Sequence, residues 1–184
     1  MCIACRKRAS SQNMIPLGVS PEGSLLVGTA CIKQETSGKR GWLCTSKSCV
    51  DKAMKRPHLL VRATQKESLD LSRLREDVRS HLQECWESDL QLANRQGLIR
   101  SGHSIFESKD PENFIGILIA ADAGTKIKTS TSFNFIKFKT TLSSTNKASL
   151  GALIGKGPRA VVGLRSGQAT RRLIGQLQRW DSLG

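Results

Sequence analysis

The chain has 184 residues and a mass of 20.1 kDa, enough for one ordinary domain or two small ones. Its 29 lysines and arginines outnumber its 15 aspartates and glutamates, so the formal net charge is +14. Hydrophobic residues make up 38% of the chain, which excludes a wholly disordered basic tail. The longest apolar run, 114–121, is far shorter than the ~20 residues that span a bilayer.

Hydrophobic periodicity predicts two regions with different secondary structure. The first holds a β-hairpin, a third strand and a helix that ends before Pro57, with a loop over Cys31–Lys39. The second begins near Ser68, where the pattern becomes helical and later alternates between helix and strand. The predicted strands are 14–19, 24–27, 41–44, 113–121, 133–139 and 160–164. The predicted helices are 47–56, 68–86, 88–97, 101–108, 147–154 and a last one that follows Ser166.

This order of elements predicts the fold class. We expect an α+β domain, a small antiparallel sheet with helices, over residues 1–64. A helical linker follows over 65–87, and helix–strand alternation then predicts an α/β/α three-layer sandwich over 88–184. The continuous apolar run 113–121 is typical of a buried parallel strand. The predicted core positions of the linker and of the last helix are Leu71, Leu74, Val78, Leu82, Trp86, Ala169, Leu173, Leu177 and Trp180.

The positive charge is concentrated in the two outer segments. Residues 1–64 and 111–184 each carry 11 basic and 3 acidic side chains, whereas 65–110 has a net charge of −2. A charge of this size attracts polyanions, so nucleic acid is the first partner to expect. A merely solvated surface is the alternative. A membrane surface is disfavoured, because it would require a basic amphipathic helix and the best helix here is acidic.

Six cysteines are present, and no apolar segment of the signal-peptide kind follows Arg6–Arg8. We therefore expect a cytoplasmic protein with reduced thiols. Cys2 and Cys5, together with Cys44 and Cys49, could supply four thiolates to a structural zinc. The alternative is four thiols packed in a small core, whereas a redox pair lacks a preceding thioredoxin-like strand. The remaining Cys31 and Cys85 are predicted to be loop and core residues.

Nothing in the chain resembles an active site, so a non-catalytic protein without a small-molecule substrate is expected. His58, His81 and His103 are far apart, and none lies in a nucleophile–base pattern. The loop 155–159 lacks the Gly-Lys-Ser/Thr ending of a P-loop, and its glycines and cations favour contact with an RNA backbone. Lysine and arginine at 39–40 beside Trp42 indicate phosphate binding with base stacking, although Trp42 could equally be core. Phe133 and Phe135 are predicted to be core.

The first region resembles the YlxR family of small bacterial RNA-binding proteins. That family opens with Cys-Ile/Val-x-Cys-Arg, which Cys2–Arg6 matches. Its Gly-Arg-Gly-Ala-Tyr/Trp-Val-Cys segment is similar to Gly38–Cys44, and its Cys-containing helix with a basic end is similar to Cys49–Arg56. The resemblance covers about 1–64 and implies an RNA-binding domain.

The second region resembles the kink-turn-binding ribosomal-protein family in its small bacterial form, YlxQ. The family's opening Leu-x-Leu-Ala-Arg-Arg-Ala-Gly-x-Leu-x-Ser-Gly is similar to Leu90–Gly102, and its strand with an Ala/Asp ending is similar to Ile117–Asp122. Its Leu-Gly-x-Ala-Ile-Gly-Lys-x-x-Arg-x-Val-Val segment is similar to Leu150–Val162, the most specific match. The resemblance covers about 88–180 and implies RNA contacts from the helix after Ser-Gly and from the last loop. A YlxR–YlxQ fusion resembles an arrangement in some alphaproteobacteria.

Together these patterns predict binding of structured RNA, such as ribosomal RNA or a ribozyme RNA like that of RNase P. The alternatives are a DNA-associated transcription regulator and a scaffold that docks on a protein through helix 68–86. The RNA-binding residues predicted in the first region are Arg6, Lys7, Arg8, Lys39, Arg40, Trp42 and Lys55. Those predicted in the second region are Gly102, His103, Lys109, Lys126, Gly155, Lys156, Gly157 and Arg159.

Overall fold

A computed structural model describes residues 1–10, 13–36, 38–64, 69–105, 114–130 and 136–183, with only the backbone of 103 and 104. The strands are β1 (Met14–Val19), β2 (Leu25–Val27), β3 (Gly41–Cys44), β4 (Ile99–Ser101), β5 (Phe114–Ala120), β6 (Phe138–Leu142) and β7 (Val161–Arg165). The α-helices are α1 (Ala30–Lys33), α2 (Lys47–Lys55), α3 (His58–Thr64), α4 (Leu74–Arg95), α5 (Thr125–Lys128), α6 (Lys147–Leu153) and α7 (Gln168–Ser182). A one-turn 3-10 helix covers Gly102–Ile105.

The chain divides into two compact units. The first unit comprises Met1–Glu84 together with Leu177–Gly184, and the second comprises Cys85–Gln176. The first contains a small antiparallel sheet with helices, and the second contains a mixed four-stranded sheet with helices. The predicted fold class, α+β followed by a layered α/β fold, is confirmed.

The sheet of the first unit has the strand order β2-β1-β3. β1 pairs antiparallel with both neighbours, and all six of its residues are buried. Both predicted strands of the hairpin and the third strand are therefore confirmed. The outer edge of β3 is covered by the chain's first residues, because the Ile3 N–H donates to the Trp42 carbonyl oxygen at 2.8 Å.

The sheet of the second unit has the order β4-β7-β5-β6, and β5 pairs parallel with β6 but antiparallel with β7. Residue 163 must be glycine for β7 to pack here, because a Cβ there would lie 2.7 Å from Cε1 of Phe114. The apolar run that predicted a buried strand is confirmed as β5, although its sheet is mixed rather than purely parallel. The predicted core positions of the linker and last helices are all buried.

Several predicted elements differ from the structure. No helix begins at Ser88, because α4 runs unbroken from Leu74 to Arg95. Ser88 and Gln91 have the spacing of a capping box, but here they lie in the middle of a continuous helix. The helix placed over 101–108 is strand β4 up to Ser101 followed by the 3-10 turn. α1 forms a helical turn inside the predicted loop 31–39.

One predicted strand is displaced. The strand placed over 133–139 is β6, which begins only at Phe138, and Phe133 and Phe135 lie outside the described residues. Helix α3, directly after Pro57, was not predicted. In the described part of the chain, every helix is too short or too polar to cross a bilayer.

Candidate metal centre and nucleic-acid surfaces

Four cysteines meet at one point of the first unit. The sulfur atoms of Cys2, Cys5, Cys44 and Cys49, here called the cysteine cluster, all lie within 4.8 Å of one another. The Cys5 and Cys44 sulfurs are 3.8 Å apart. Thiolates that bind one zinc ion at ~2.3 Å in a tetrahedron have sulfur atoms ~3.8 Å apart, so the observed spacing fits that donor set.

A tight turn brings the first two cysteines to the cluster. The Arg6 N–H donates to the Cys2 carbonyl oxygen at 2.9 Å, and the Cys2 N–H donates to the Lys7 carbonyl oxygen at 3.0 Å. Among the described residues, Arg6 is the one non-glycine with a positive φ, +65°. This conformation costs a side-chain-bearing residue about 1–2 kcal/mol, so other contacts must hold the turn. Cys44 and Cys49 come from the end of β3 and the first turn of α2.

The thiols of the cluster have pKa values that are shifted in opposite directions. Burial raises the pKa of Cys2, but backbone N–H groups of Cys5, Cys44 and Ala4 outweigh burial and lower it to about 7. Burial raises the pKa of Cys44, and the neighbouring Cys2 adds to this effect. The pKa of Cys49 is likewise raised, chiefly by burial. Without a cation the cluster favours one thiolate among thiols, and a bound divalent ion is what would let all four ionise.

The turn that carries the cysteines also carries exposed cations. Arg6, Lys7 and Arg8, here called the basic turn, are all exposed. Trp42 lies beside them on β3, since its carbonyl oxygen accepts from Ile3, and its side chain is half-buried. The structure thus places the Trp42 backbone against Ile3, close along the chain to the basic turn.

The other predicted cations of the first unit are exposed but less closely grouped. Lys39 and Arg40 directly precede β3, and the Arg40 Nε donates to Thr36 Oγ1 at 3.3 Å. Lys55 lies at the last residue of α2, the end of that helix opposite Cys49. No contact of the described residues joins Lys55 to the basic turn.

In the second unit, two predicted segments meet at one side chain. Arg159 donates from Nε to Ser101 Oγ at 3.3 Å and from Nη1 to the carbonyl oxygens of Gly157 and Pro158 at 3.2 and 3.1 Å. Gly102 has a φ of +75°, and a Cβ there would lie 3.7 Å from Arg159 Cδ. The turn after β4 and the loop Gly155–Arg159, here called the glycine loop, therefore form one surface.

The glycine loop is held against α6 by a close backbone approach. A Cβ on Gly151 would lie 2.1 Å from the Gly157 carbonyl oxygen, so only glycine fits. The Lys156 N–H donates to the Gly151 carbonyl oxygen at 2.9 Å, and Gly155 has a φ of +66°. Asn94 of α4 adds a side-chain bond, from Nδ2 to the Ile154 carbonyl oxygen at 3.0 Å. The exposed Lys156 therefore stands on a well-fixed backbone.

The sequence did not single out several residues that position this surface. Gly151 and Asn94 were quoted only within the family match, and Lys147 was missed, although its carbonyl oxygen accepts from the Arg159 N–H at 2.8 Å. Lys147 Nζ lies 3.9 Å from Asp122 Oδ2. A glycine in the middle of a predicted helix was the signal that could have revealed Gly151.

The remaining predicted residues of the second unit are not joined to this surface by described contacts. Lys126 is exposed on α5. The backbone of His103 lies in the 3-10 turn directly after Gly102. Lys109 lies outside the described residues.

The predicted cations take no part in the ion pairs of the described residues. Within the described ranges, no predicted RNA-binding cation forms an ion pair with a carboxylate. The ion pairs that do form use other residues: Arg73–Glu76, Arg75–Asp51, Lys147–Asp122 and Arg172–Asp89. The partners of the Arg159 guanidinium are a hydroxyl and two carbonyls, so its charge is oriented without being neutralised.

No protein-family model matches this chain, and no curated protein is similar to it. A solved structure described as a protein with unknown function from Bacillus halodurans C is similar, with 26% sequence identity and a TM-score of 0.44. That similarity covers 50% of this chain and 96% of the other.

Proposed function

We propose that this protein binds structured RNA without catalysing a reaction, through one basic surface on each unit. The observation that carries the proposal is the charge pairing: cations on the basic turn and glycine loop have no described carboxylate partner, whereas Arg75 and Arg172 are paired with carboxylates. Unpaired cations release counterions when they bind phosphates, and this release is the main source of affinity for nucleic acid.

In the first unit, the basic turn and Lys39–Arg40 would contact phosphates. The half-buried Trp42 beside them would stack on an unpaired base, since aromatic stacking is a common way to bind splayed RNA bases. We propose that a zinc ion on the cysteine cluster fixes the basic turn, because the spacing of Cys5 and Cys44 matches a tetrahedral thiolate site.

In the second unit, the glycine loop would approach the RNA backbone closely. Gly155 and Gly157 are exposed and carry no side chain that would keep a phosphate away from Lys156 and Arg159. Lys156 would contribute a mobile charge and Arg159 a fixed one. The motif similarities to the YlxR and YlxQ families support this division of roles, and we propose that the chain is a fusion of the two. Ribosomal RNA or a ribozyme RNA such as that of RNase P would be the RNA class.

The salt dependence of binding tests the basic surfaces. Replacing Arg6, Lys7 and Arg8 together by alanine should lower the slope of log affinity against log salt by about two to three, close to one per phosphate contact. A matched control replaces Arg73, Lys137 and Arg171, which are exposed cations outside both surfaces, and should leave the slope nearly unchanged. Salt-independent binding, or equal effects of the two triple variants, would refute the assignment.

Competition separates the alternatives. A structured RNA should displace a labelled RNA hairpin at a far lower mass than duplex DNA does, because the proposed sites recognise folded backbone and unpaired bases. Preference for duplex DNA would instead favour a transcription regulator. Binding of a protein partner that survives high salt and is lost when exposed residues of helix 74–86 are changed would favour a docking scaffold.

Metal analysis tests the zinc proposal. Protein purified without chelator should contain one zinc per chain, and cobalt substitution should give the absorption spectrum of a tetrahedral thiolate site. Cys49→Ser should lose the metal, whereas Cys85→Ser, outside the cluster, should retain it. A metal-free wild-type protein with four titratable cluster thiols would refute it.

A further inference from the structure

One edge of the first unit's sheet is hydrogen-bonded to another segment of the chain, whereas the other edge borders a groove. At the β3 edge the Trp42 carbonyl oxygen is paired with the Ile3 N–H. At the other edge, β2 lies beside a groove of about 410 Å³. An open strand edge presents backbone donors and acceptors that readily pair with another extended chain.

The register shows which backbone groups face that groove. Gly28 N–H donates to the Pro16 carbonyl oxygen, and Ser20 N–H donates to the Ser24 carbonyl oxygen. Hydrogen-bonded and non-bonded pairs alternate along an antiparallel ladder, so the pairs Leu25↔Val19 and Val27↔Leu17 are non-bonded. The N–H and C=O groups of Leu25 and Val27 therefore point away from β1. No described residue bonds to them.

One face of α4 forms the opposite wall. Asp77, Ser80, His81 and Glu84 line the groove and recur at the three- and four-residue spacing of a single helix face. His81 is fixed, because its Nδ1 lies 3.1 Å from Thr29 Oγ1 and its ring occupies the space that a Cβ on Gly28 would need. The apolar side of the groove is formed by Leu25, Leu26, Val27 and Ala30.

The groove has more acidic than basic side chains, although the chain as a whole is strongly basic. Its charged side chains are Asp77, Glu84 and Lys33, and burial lowers the pKa of His81 and so favours its neutral form. The local charge is therefore negative in a chain whose net charge is +14. A basic ligand that the molecule as a whole repels would be attracted to this groove.

We propose that the groove is a docking site for an extended peptide segment of a partner protein that carries lysine or arginine. The segment adds to the sheet as a strand beside β2. Its backbone pairs with Leu25 and Val27, and its basic side chains reach Asp77 and Glu84. This inference is independent of RNA binding. A second copy of the chain fits less well, because pairing two β2 edges would bring like charges together.

The test uses the full-length protein and an acetylated, amidated heptapeptide of alternating lysine and valine, without RNA. The peptide should bind and slow hydrogen exchange at the Leu25 and Val27 amides. Two control peptides should not bind: one with glutamate in place of lysine, and one N-methylated at alternate residues so that one edge cannot donate.

Variants of the protein test each wall separately. Leu25→Pro removes an outward N–H without breaking a hydrogen bond between β1 and β2. It should lower the affinity for the peptide about fivefold, which corresponds to the loss of about one hydrogen bond. Leu25→Ala keeps the donor and controls for the lost side chain. Asp77→Asn with Glu84→Gln should weaken binding about two- to tenfold, whereas Glu76→Gln, an exposed α4 residue outside the groove, should not.

Four results would overturn the proposal. The lysine peptide fails to bind, or it binds while exchange at Leu25 and Val27 is unchanged. The glutamate peptide binds equally well. The two amides are already protected in the free protein and its mass is that of a dimer, which would make a second copy the occupant.

Discussion

The basic turn and the glycine loop present similar side chains but are held by different forces. The turn is short, exposed and bent through a left-handed arginine, and its sulfur atoms converge on one point. The loop is fixed by backbone contacts to a helix and by the Asn94 amide, with no thiol in it. The comparison teaches that a cation can be oriented by close packing of the backbone that carries it, as in the loop, or by an ion beneath it, as we propose for the turn.

Removing the proposed zinc ion should have the largest effect, and should affect only the turn. Chelation or Cys49→Ser should weaken RNA binding as much as alanine at Arg6, Lys7 and Arg8 does, since an unfixed turn no longer presents these cations together. The two changes should be non-additive when combined, because they remove the same interaction. RNA titrations of the four combinations measure this.

The same four titrations can contradict this role of the metal. If the alanine substitutions at Arg6, Lys7 and Arg8 lower RNA affinity equally with and without metal, the metal does not position the turn. The loss from Lys156→Ala should be the same in both metal states.

Gly151→Ala should have the next largest effect, on the loop. The added methyl would lie 2.1 Å from the Gly157 carbonyl oxygen, so the loop must shift. We expect the free energy of unfolding to fall by about 1–3 kcal/mol, despite a gain in helix propensity of about 1 kcal/mol. Urea denaturation and RNA titration measure the two consequences.

Gly175→Ala is the matched control for this change. Gly175 also lies within a helix, but nothing lies within 4 Å of a Cβ placed there. It should be neutral or slightly stabilising. Equal destabilisation by both substitutions would show that the Gly151 contact does not hold the loop.

Asn94→Ala should have a smaller effect on the same loop. It removes one side-chain hydrogen bond to Ile154, worth about 1 kcal/mol, while the Gly151 packing remains. RNA affinity should fall a few-fold, and Arg95→Ala, on the exposed side of the same turn, tests whether charge alone accounts for it. A larger loss for Arg95→Ala would place the RNA on α4 instead.

The smallest effect is a pH dependence that involves neither surface. Burial lowers the pKa of His81 below its ordinary 6.5, so the unfolded chain binds a proton more readily than the folded one. Stability is therefore lost as the pH falls through 6.5 toward the folded pKa. Urea midpoints at pH 7 and pH 5 should differ less in His81→Gln than in wild type, and His58→Gln, an exposed residue, should behave as wild type.

Local patterns predicted much of the fold. β1 and β3 were placed correctly because their apolar runs are bounded by turn residues, and the stripe from Leu74 to Trp86 identified the buried face of α4. The strand pairing could not be predicted from local patterns. The sequence of β5 indicates a buried strand but not its neighbours, and it is the folded chain that places β6 parallel and β7 antiparallel to it.

The candidate sites were predicted in part, for a similar reason. Residue type and spacing identified the four cysteines and the cations of the two basic segments. The contacts that fix them are long-range: Ile3 to Trp42, Arg159 to Ser101 and Asn94 to Ile154. A charge pattern in a sequence identifies attractive residues, whereas their orientation depends on backbone contacts that only the folded chain brings together.

The hydrogen bond from Ile3 to Trp42 has a consequence for the behaviour of the protein at high concentration. With that bond intact, the sheet can pair with a neighbour at one side only, so sheet-to-sheet association ends at two molecules. Detachment of the first residues would uncover the second side, and molecules with two exposed sides can join without limit. Loss of the proposed zinc ion, which would free these residues, would then convert a self-limiting contact into one that permits fibrous polymers.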